Sequence, residues 1–559
     1  MSESTDRDRH EQEHFFSAAK VVAALTVCSR VLGMLRDIAI ASLGANRTTS
    51  AFWLAFTIPN LFRRLFGEGA LSAAFVPVFS ETAESEGLGK ARKLFANALA
   101  LLAVTTAAII VAVWAGLAIW ALLGHWRVIT PLWPDQQLLI RLLAIMLPFT
   151  VTTCLLALGA AALNCRGRFA YPAFAPMLLN LCLISAAWWI GPTYRGQTET
   201  QLTFIAAAVT VAGVLQLAGV LWVLKAAGFS IRPRLRPVQP GIRRMLKLMA
   251  PVLLGLGFLQ FSELLNNLIA WLFEASEVRT SISLFGLEFK PPLVEGTLAR
   301  INAARRLYQF PMGVLAISLG VAVFPLLSRY AARGDMPRLR ESVNRAVRLS
   351  MMEGLAAGVG LFVLAGPITR LIFAHGKFTD SDAVKAAFTL RMYVLGLWAY
   401  CTYQIFARAF YALKDTRTPL VTSCVLVVPN MAMVAGLIWV PALREAAFGV
   451  ATAATFAVNT ALLAILLRRR IGRFGGRKLA VSVARSLIAC AAMAGAIYLL
   501  RSLLRGRSDL VLVAVCVPAG AVVFLAAARL LRAPELGELL RRPGKANAIE
   551  DEVRSHRDV

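Results

Sequence analysis

Acidic residues and histidines are scarce in this chain of 559 residues, where 31 aspartates and glutamates stand against 59 lysines and arginines, with 5 histidines. The sequence has no H-E-x-x-H helix and no paired aspartates suited to Mg²⁺. It also lacks a G-x-x-x-x-G-K-[ST] loop, since the fragment GLGKA at 87–91 misses the first glycine and the hydroxyl residue. We therefore expect no enzyme activity, no catalytic residue, no metal site and no cofactor.

Disulfide and secretory patterns are missing too. The 8 cysteines show no C-x-x-C spacing and lie mostly in apolar stretches, which is typical of helix packing. The polar N-terminus, up to about His14, lacks the apolar core and cleavage site of a signal peptide, so we expect nothing to be removed. His10 and His14 have i, i+4 spacing but no further ligand nearby, and we expect no metal there.

The chain contains many long apolar segments. Hydrophobic residues make up 58% of it and the mean hydropathy is +0.66. Runs of about 20 residues can cross about 30 Å of hydrocarbon. The sequence predicts an all-α polytopic membrane protein of about 14 transmembrane helices. The predicted spans lie near 18–43, 50–80, 93–123, 137–163, 171–191, 203–225, 246–273, 298–328, 346–373, 385–412, 418–440, 446–467, 480–502 and 509–531.

The formal charge of +28 would indicate nucleic acid in a soluble protein, but here the basic residues concentrate in short connections between apolar runs. Residues 225–247 contain seven basic and no acidic residues, and residues 468–478 contain six basic ones. The positive-inside rule places these connections in the cytoplasm, and an even number of spans then puts both termini there. We expect a multi-pass membrane protein with both termini in the cytoplasm and no nucleic-acid partner.

The chain also repeats itself. FVPVFSE around Pro77 resembles VFPLLSR around Pro325, and ALNCRGRFAYP ending at Pro172 resembles ALKDTRTP ending at Pro419, at offsets of 248 and 247 residues. Parallel repeats of this kind predict two pseudo-symmetric six-helix bundles plus two C-terminal helices. The predicted segments are an N-terminal tail (1–17), a first bundle (18–225), a basic linker (226–245), a second bundle (246–467), a basic loop (468–479), helices 13 and 14 (480–531) and a C-terminal tail (532–559).

Polar residues recur at helical spacing within four of the spans. An intramembrane ionisable residue is costly and marks a functional site by default. Because i, i+3, i+4 and i+7 share one helix face, each set forms a stripe that should avoid lipid. The stripes are Ser29, Arg30, Arg36 and Asp37; Asn60, Arg63, Arg64 and Glu68; Gln260, Glu263, Asn266 and Asn267; and Asn302, Arg305, Arg306 and Gln309. Gly67 and Gly69 should let the second span bend, and Pro311 should kink the eighth.

One water-filled cavity lined by these spans would hold six arginines and three carboxylates, from Asp37, Glu68 and Glu263. Such a basic cavity predicts a multivalent anionic ligand, and the planar guanidinium suits bidentate binding of phosphate. Arg63, Arg64 and Arg305 stand near helix ends, where the alternative is that they extend to the membrane interface. We expect transport driven by the membrane potential or an ion gradient.

Several long motifs resemble the MurJ/MviN family of lipid II flippases: SRVLGMLRD (29–37), PNLFRRLFGEGALSAAFVP (59–77), NCRGRFAYPAFAP (164–176), RRLYQFPMGVL (305–315), HGKFT (375–379) and FYALKDTRTP (410–419). The resemblance covers the first twelve predicted spans. It implies a fourteen-helix inner-membrane member of the multidrug/oligosaccharidyl-lipid/polysaccharide exporter superfamily. Such a protein moves lipid II, undecaprenyl-diphosphate-MurNAc-pentapeptide-GlcNAc, from the inner to the outer leaflet by alternating access, for cell-wall synthesis.

Carried over residue by residue, the family's headgroup-binding arginines fall on Arg30, Arg36, Arg63 and Arg306. Asp37 matches a residue that positions an arginine, and Glu68 a polar cavity residue. Ser29, Asn60 and Arg64, from the same stripes, complete the predicted substrate-binding set. The resemblance also implies that helices 13 and 14 form a groove for the lipid tail.

Two positions depart from the family, because acidic residues common there are replaced by Ser50 and Arg305. Ion coupling through those positions is therefore in doubt. The alternatives are a flippase for another lipid-linked oligosaccharide of O-antigen type, or a non-catalytic scaffold of cell-wall synthesis. A drug exporter should have an acidic cavity. Further expected partners are membrane lipids and cell-wall synthases, and the C-terminal tail is expected to be disordered.

Overall fold

The structure is a computed structural model that describes residues 2–125, 134–229, 240–276, 281–284 and 287–539. Within these ranges the chain is almost entirely helical. The first half contains α1 (Ser2–Ala41), α2 (Arg47–Phe62), α3 (Leu71–Ser85), α4 (Leu88–His125), α5 (Pro134–Met146), α6 (Pro148–Asn164), α7 (Ala170–Ser185), α8 (Thr198–Ala226) and α9 (Pro240–Leu272).

The second half begins with a short antiparallel ribbon of β1 (Ile282–Leu284) and β2 (Leu287–Phe289), with Ile282 opposite Phe289. The sequence did not predict this ribbon, which lies in the connection after α9. The helices that follow are α10 (Thr297–Ala332), α11 (Met336–Phe373), α12 (Asp380–Val394), α13 (Leu397–Ala412), α14 (Arg417–Val425), α15 (Val427–Leu437), α16 (Ala447–Ile471), α17 (Gly476–Leu503), α18 (Asp509–Leu530) and α19 (Pro534–Leu539).

The predicted fold class, an all-α polytopic membrane protein, is confirmed. Among the described residues, 10 helical stretches are long and apolar enough to cross a membrane. The predicted spans near 18–43, 50–80, 246–273 and 385–412 are helical but fall outside that set. Three of these four are the polar spans of the sequence analysis. The number of fourteen spans stays a prediction.

The second predicted span changes from α-helix to π-helix around its two glycines, Gly67 and Gly69. A π-helical segment, Arg63–Ala70, separates α2 from α3. π turns appear mostly as bulges inside α-helices, frequently at functional sites, and glycine weakens the α-helix. The π-helical segment covers both Gly67 and Gly69, and a bend at these glycines stays a prediction. Arg63 and Arg64 lie at the start of this segment.

Both predicted tails contain helix. Helix α1 begins at Ser2 and runs without a break into the first predicted span. The 1–17 segment as a cytoplasmic tail stays a prediction. At the other end, the expectation of disorder from 532 onward is wrong for α19, whose Glu535 is 1% exposed. The Glu535 carboxylate accepts hydrogen bonds from Arg348 Nη1 at 2.7 Å and from Ser482 Oγ at 2.8 Å. These bonds attach α19 to α11 and α17. Residues 540–559 lie outside the described residues.

The chain divides into two compact units, each with its own core. Unit 1 comprises Met1–Ala303, Phe373–Asp382 and Ile438–Glu445, and unit 2 comprises Ala304–Ile372, Ala383–Leu437 and Ala446–Val559. The predicted bundles, 18–225 and 246–467, rest on sequence repetition and stay a prediction.

Unit 1 is held by an apolar cluster of α3, α4, α6 and α8. Phe75, Phe79, Phe95 and Phe229 form its aromatic centre, where Phe95 and Phe229 meet edge-on with ring centroids 5.3 Å apart. Helix α9 packs against α2, the π segment and α3. This packing places the polar face of α9 beside that of the second span.

Unit 2 has two apolar clusters. One joins α10, α11, α13 and α16 around Leu327, Phe406 and Leu463. The other fixes α17 and α18 against α11 through residues such as Met352, Met493 and Phe524. The last two helices are therefore part of unit 2, while Leu503 (72%) and Leu530 (84%) stay exposed, as expected of residues that face lipid.

Candidate functional site

Arg36 is the centre of a buried polar cluster in unit 1, which we call the Arg36 cluster: Arg36, Asp37, Asn180 and the backbone carbonyl of Ser29. Asp37 Oδ1 accepts hydrogen bonds from Arg36 Nε at 2.9 Å and from Nη2 at 2.7 Å. Asn180 Oδ1 accepts from Arg36 Nη1 at 3.0 Å. The Asp37 carboxylate and the Asn180 amide together hold the Arg36 guanidinium in one orientation.

Helix α7 supplies the amide because it packs along α1. Asn180 Nδ2 donates to the Ser29 carbonyl at 3.0 Å, and the α-carbon face of Gly33 lies beside the same amide. The Arg36 guanidinium also stands 5.8 Å from the ring centroid of Phe56 on α2. The cluster therefore joins three helices inside unit 1. Arg36 and Asp37 are 8% and 5% exposed, so their pairing is protected from water.

The second span adds two more arginines with polar partners. Arg63 Nε donates to Asn60 Oδ1 at 2.9 Å, within the same helix. Arg64 forms an ion pair with Glu263 of α9 and donates to Gln260 Oε1 at 3.3 Å. Both arginines are partly buried and contact neighbouring side chains. The side chain of Glu68 lies outside the described residues.

Arg30 and Arg306 have different surroundings. Arg30 is exposed on α1 and Ser29 is partly buried there. Arg306 belongs to unit 2 and is partly buried on α10. Its neighbour Arg305 points into unit 2, where its Nε donates to the Tyr393 hydroxyl at 3.2 Å. Tyr308 stacks on both Tyr393 and Tyr400, with centroids 4.9 and 5.4 Å apart.

A second group of unit 1, the Arg47 cluster, consists of Arg47, Trp271 and Glu274. It lies at the end where α1 turns into α2 and α9 ends. Arg47 donates to the backbone carbonyl of Trp271, and its guanidinium carbon lies 4.2 Å from that ring centroid. Glu274 is fully buried and accepts from the backbone N–H of Gly296 at 2.7 Å and of Leu298 at 3.3 Å.

Burial raises the pKa of Glu274 to about 7, against the lowering effects of the Arg47 charge and of the N–H donors from Gly296 and Leu298. Gly296 is required there, because its φ is +77° and a β-carbon would overlap the Ala45 carbonyl. Ser50, one of the two departures from the family, lies beside this carboxylate. The buried acid beside Ser50 is therefore Glu274, and the Glu295 carboxylate accepts from the Arg47 backbone N–H nearby at 3.0 Å.

A third group, the Arg300 cluster, consists of Arg300, Glu445, Asp382 and Thr297, all in unit 1. Arg300 Nε donates to both Glu445 oxygens at 3.1 and 2.9 Å, and Nη1 donates to Asp382 Oδ1 at 3.0 Å. Nη1 also donates to the Glu295 carbonyl at 2.8 Å. Arg300 is 1% exposed. This guanidinium is enclosed by acceptors and has a structural role.

Sequence reasoning selected the Arg36 and Arg64 stripes but missed their partner on α7 and the Arg300 cluster. Asn180 is the single amide of an apolar run, PMLLNLCLI, and forms no stripe of its own. Arg300 stands in the same predicted span as Arg306, six residues earlier. Acidic residues in the predicted connections, Asp382 and Glu445, were the only signal that could have indicated its role.

The helical fold is similar to those of solved transporters, one of them of the MOP superfamily. A multidrug resistance MATE family transporter of that superfamily, in an inward-facing conformation, matches with a TM-score of 0.64 at 13% identity, over 82% of this chain and 99% of that chain. A lipid II flippase MurJ in an inward-closed conformation matches with a TM-score of 0.72 at 21% identity, over 93% of this chain and 99% of that chain.

Within that class, the chain belongs to the lipid II flippase MurJ family, whose model matches residues 40–516. The probable lipid II flippase MurJ of Vibrio cholerae serotype O1 is 32% identical over 484 residues, which cover 85% of this chain and 87% of that protein. The lipid II flippase MurJ of Burkholderia cenocepacia is 31% identical over 466 residues, covering 82% of this chain and 84% of that protein. The predicted family is confirmed.

Proposed function

We propose that this protein translocates lipid II, the undecaprenyl-diphosphate-linked peptidoglycan precursor, from the inner to the outer leaflet of the bacterial cytoplasmic membrane. Family membership supports the substrate, and the MOP-type fold supports alternating access. It acts as a transporter and not as an enzyme, with cell-wall synthases as candidate partners.

The observation that carries the proposal is the Arg36 cluster. A guanidinium held by one carboxylate and one amide keeps the planar fork in a fixed orientation inside a membrane helix. Such a group suits a diphosphate, because bidentate charge-assisted hydrogen bonds are strong where water is excluded. The residues proposed to bind substrate are Ser29, Arg30, Arg36, Asp37, Asn60, Arg63, Arg64, Glu68 and Arg306.

Two further parts of the proposal concern the membrane. The basic connections at 225–247 and 468–478 support a topology with both termini in the cytoplasm. Helices α17 and α18 pack against each other and expose leucines and valines, which supports a groove for the polyprenyl tail. The membrane potential or an ion gradient would supply the energy, since one charge moved through 100 mV yields about 2.3 kcal/mol.

The test is depletion of the protein in its own cell, followed by a leaflet assay for lipid II. The wild type should restore outer-leaflet lipid II, whereas Arg36→Ala and Arg306→Ala should abolish translocation with normal protein levels. Arg166→Ala is the matched control, because Arg166 is exposed in the turn between α6 and α7. Normal flipping by either cavity variant would refute the site, and an unchanged lipid II distribution on depletion would refute the function.

A further inference from the structure

Unit 2 contains an arginine that no sequence pattern selected. Arg408 lies on α13, and its Nη1 atom is buried without a hydrogen-bond acceptor among the described residues. Its guanidinium lies directly over Gly320 of α10, where it occupies the position that a β-carbon on residue 320 would take. Glycine at 320 is therefore what allows the charge to sit between these two helices.

Among the described residues, no carboxylate forms an ion pair with Arg408. The Tyr411 side chain interacts with it, and its neighbours on α13, Phe406 and Phe410, belong to the apolar cluster of α10, α11, α13 and α16. Gln404 precedes Arg408 by four residues on α13, and so lies on the same helix face. An uncompensated charge in such a place is expensive, and in membrane helices it marks a site for an anion or a charged partner.

Helix α10 connects Arg408 with the proposed substrate residues. Gly320 follows Arg306 by 14 residues, close to four helical turns, so both lie on one side of α10 about 21 Å apart. Under the proposed topology, Gly320 and Arg408 lie in the half of the membrane nearer the cytoplasm. A lipid phosphate in the inner leaflet would meet Arg408 at that depth.

We propose that Arg408 and Gly320 form a second anion site, which binds the phosphate or diphosphate headgroup of a lipid on the cytoplasmic side of unit 2. The inference rests on the proposed function for its preferred ligand, the diphosphate of the lipid-linked substrate before it is translocated. Nη1 fills the space beside Gly320 and holds the side chain between the two helices, and the rest of the guanidinium supplies charge-assisted N–H donors to the headgroup oxygens. Arg408 is thus a substrate-binding residue.

The experiment measures ligand binding and thermal stability of the purified full-length protein in nanodiscs, with farnesyl diphosphate and phosphatidylglycerol as separate probes. The background carries Arg36→Ala, so that binding at the first cluster is reduced. Adding Arg408→Gln should weaken farnesyl diphosphate binding about tenfold, the value of one charge-assisted hydrogen bond. Without ligand, this variant should melt at or above the temperature of its parent, since no partner loses its charge.

Gly320→Ala is the matched variant that keeps the arginine but displaces it, and it should weaken binding in the same direction. Weakening for farnesyl diphosphate alone identifies the substrate as the source, and equal weakening for phosphatidylglycerol identifies ordinary anionic lipid. If adding Arg408→Gln to the Arg36→Ala parent left the affinity for both probes unchanged, the site would be overturned. A lower melting temperature without ligand would also overturn it, because the arginine would then be structural.

The two proposals fail separately. If Arg36→Ala abolishes flipping in cells while Arg408→Gln leaves both probes bound, the flippase stands and the second site falls. If depletion leaves lipid II unchanged while Arg408→Gln still weakens binding, the anion site stands and its assignment to this substrate falls.

Discussion

The Arg300 and Arg36 clusters show two ways of burying a guanidinium in the same unit. Arg300 meets two carboxylates and backbone carbonyls, so negative groups outnumber the charge they enclose. Arg36 pairs with Asp37 and also donates to the neutral amide of Asn180. The first arrangement is complete without any ligand. In the second, an amide from another helix helps to orient the guanidinium, an arrangement that is compatible with an incoming anion.

The difference also lies in where the partners come from. The acids around Arg300 belong to Phe373–Asp382 and Ile438–Glu445, chain segments that join unit 1 from outside its main stretch. Arg300 therefore fastens distant connections to the start of α10. The partners of Arg36 are its own neighbour and a residue of α7, a helix that packs along α1. Loss of Arg300 should damage the fold, and loss of Arg36 should damage function.

The largest effect should follow from Arg300→Ala. Removing one partner from a buried ion pair typically costs about 3–5 kcal/mol, because the remaining charge is left buried. Glu445 and Asp382, whose side chains are 8% and 13% exposed, would both lose their cation. We expect the elution peak of folded, detergent-extracted protein to be lost in fluorescence-detected size-exclusion chromatography.

Arg300→Lys is the control, since it keeps the positive charge but loses the planar guanidinium with its several N–H donors. It should fold with an intermediate loss of stability. Wild-type stability of Arg300→Ala would contradict the structural role and would move Arg300 into the functional set.

The next effect concerns pH and the Arg47 cluster. A carboxylate whose folded pKa is raised to about 7 from 4.5 binds more protons in the folded state. Stability from this group should therefore be highest below about pH 4.5, fall as pH rises from there to about 7, and then stay level. At about 1.36 kcal/mol per unit of pKa, the loss is at most about 3 kcal/mol. Melting temperatures measured from pH 5 to pH 8 would show it.

Glu274→Gln should remove that dependence, because the amide stays neutral. Ser50→Asp should destabilise the protein, since a second carboxylate would face Glu274. The double variant Ser50→Asp/Glu274→Gln should recover stability, which would show that one acid fits this place at either position. An unchanged pH profile in Glu274→Gln would mean that another group titrates.

A smaller, functional effect is expected from Arg36→Lys. The ammonium still pairs with Asp37, so the melting temperature should stay close to that of the wild type. The second hydrogen bond to a diphosphate is lost, which at about 1.5–3 kcal/mol per charged bond predicts roughly 10- to 100-fold slower flipping. The leaflet assay measures this rate. If Arg36→Lys lowered the melting temperature as well as the flipping rate, Arg36 would have a structural role like that of Arg300.

The all-α fold class, the polar stripes and the family could be predicted from the sequence, because each depends on residues that are close together in the chain. Ser29, Arg36 and Asp37 share a helix face by spacing alone. Gly67 and Gly69 indicated a weak place in the second span, and the π-helical segment Arg63–Ala70 lies there. The polar composition of residues 1–17 did not indicate that helix α1 begins at Ser2.

What could not be predicted depends on long-range packing. Asn180 is 144 residues from Arg36, and Asp382 and Glu445 are 82 and 145 residues from Arg300. No local pattern tells which arginine of a span will meet an acid. Arg300, Arg306 and Arg408 look alike in sequence, and only their neighbours separate them.

The smallest effect should come from a pair at the solvent side of unit 2, between Asp415 and Arg470. Despite some burial, the pKa of Asp415 is lowered by hydrogen bonds from the backbone and hydroxyl of Thr418, and by Arg470. Its stabilising contribution is thus present at neutral pH and lost as pH falls below the ordinary value of 3.8. Arg470→Ala removes one of these partners, but the Thr418 bonds at 3.0 and 2.7 Å remain. Because the Arg470 side chain is 49% exposed, the loss should be below about 1 kcal/mol, at the edge of a thermal-shift measurement. A loss as large as that of Arg300→Ala would mean that exposure does not separate the two kinds of ion pair.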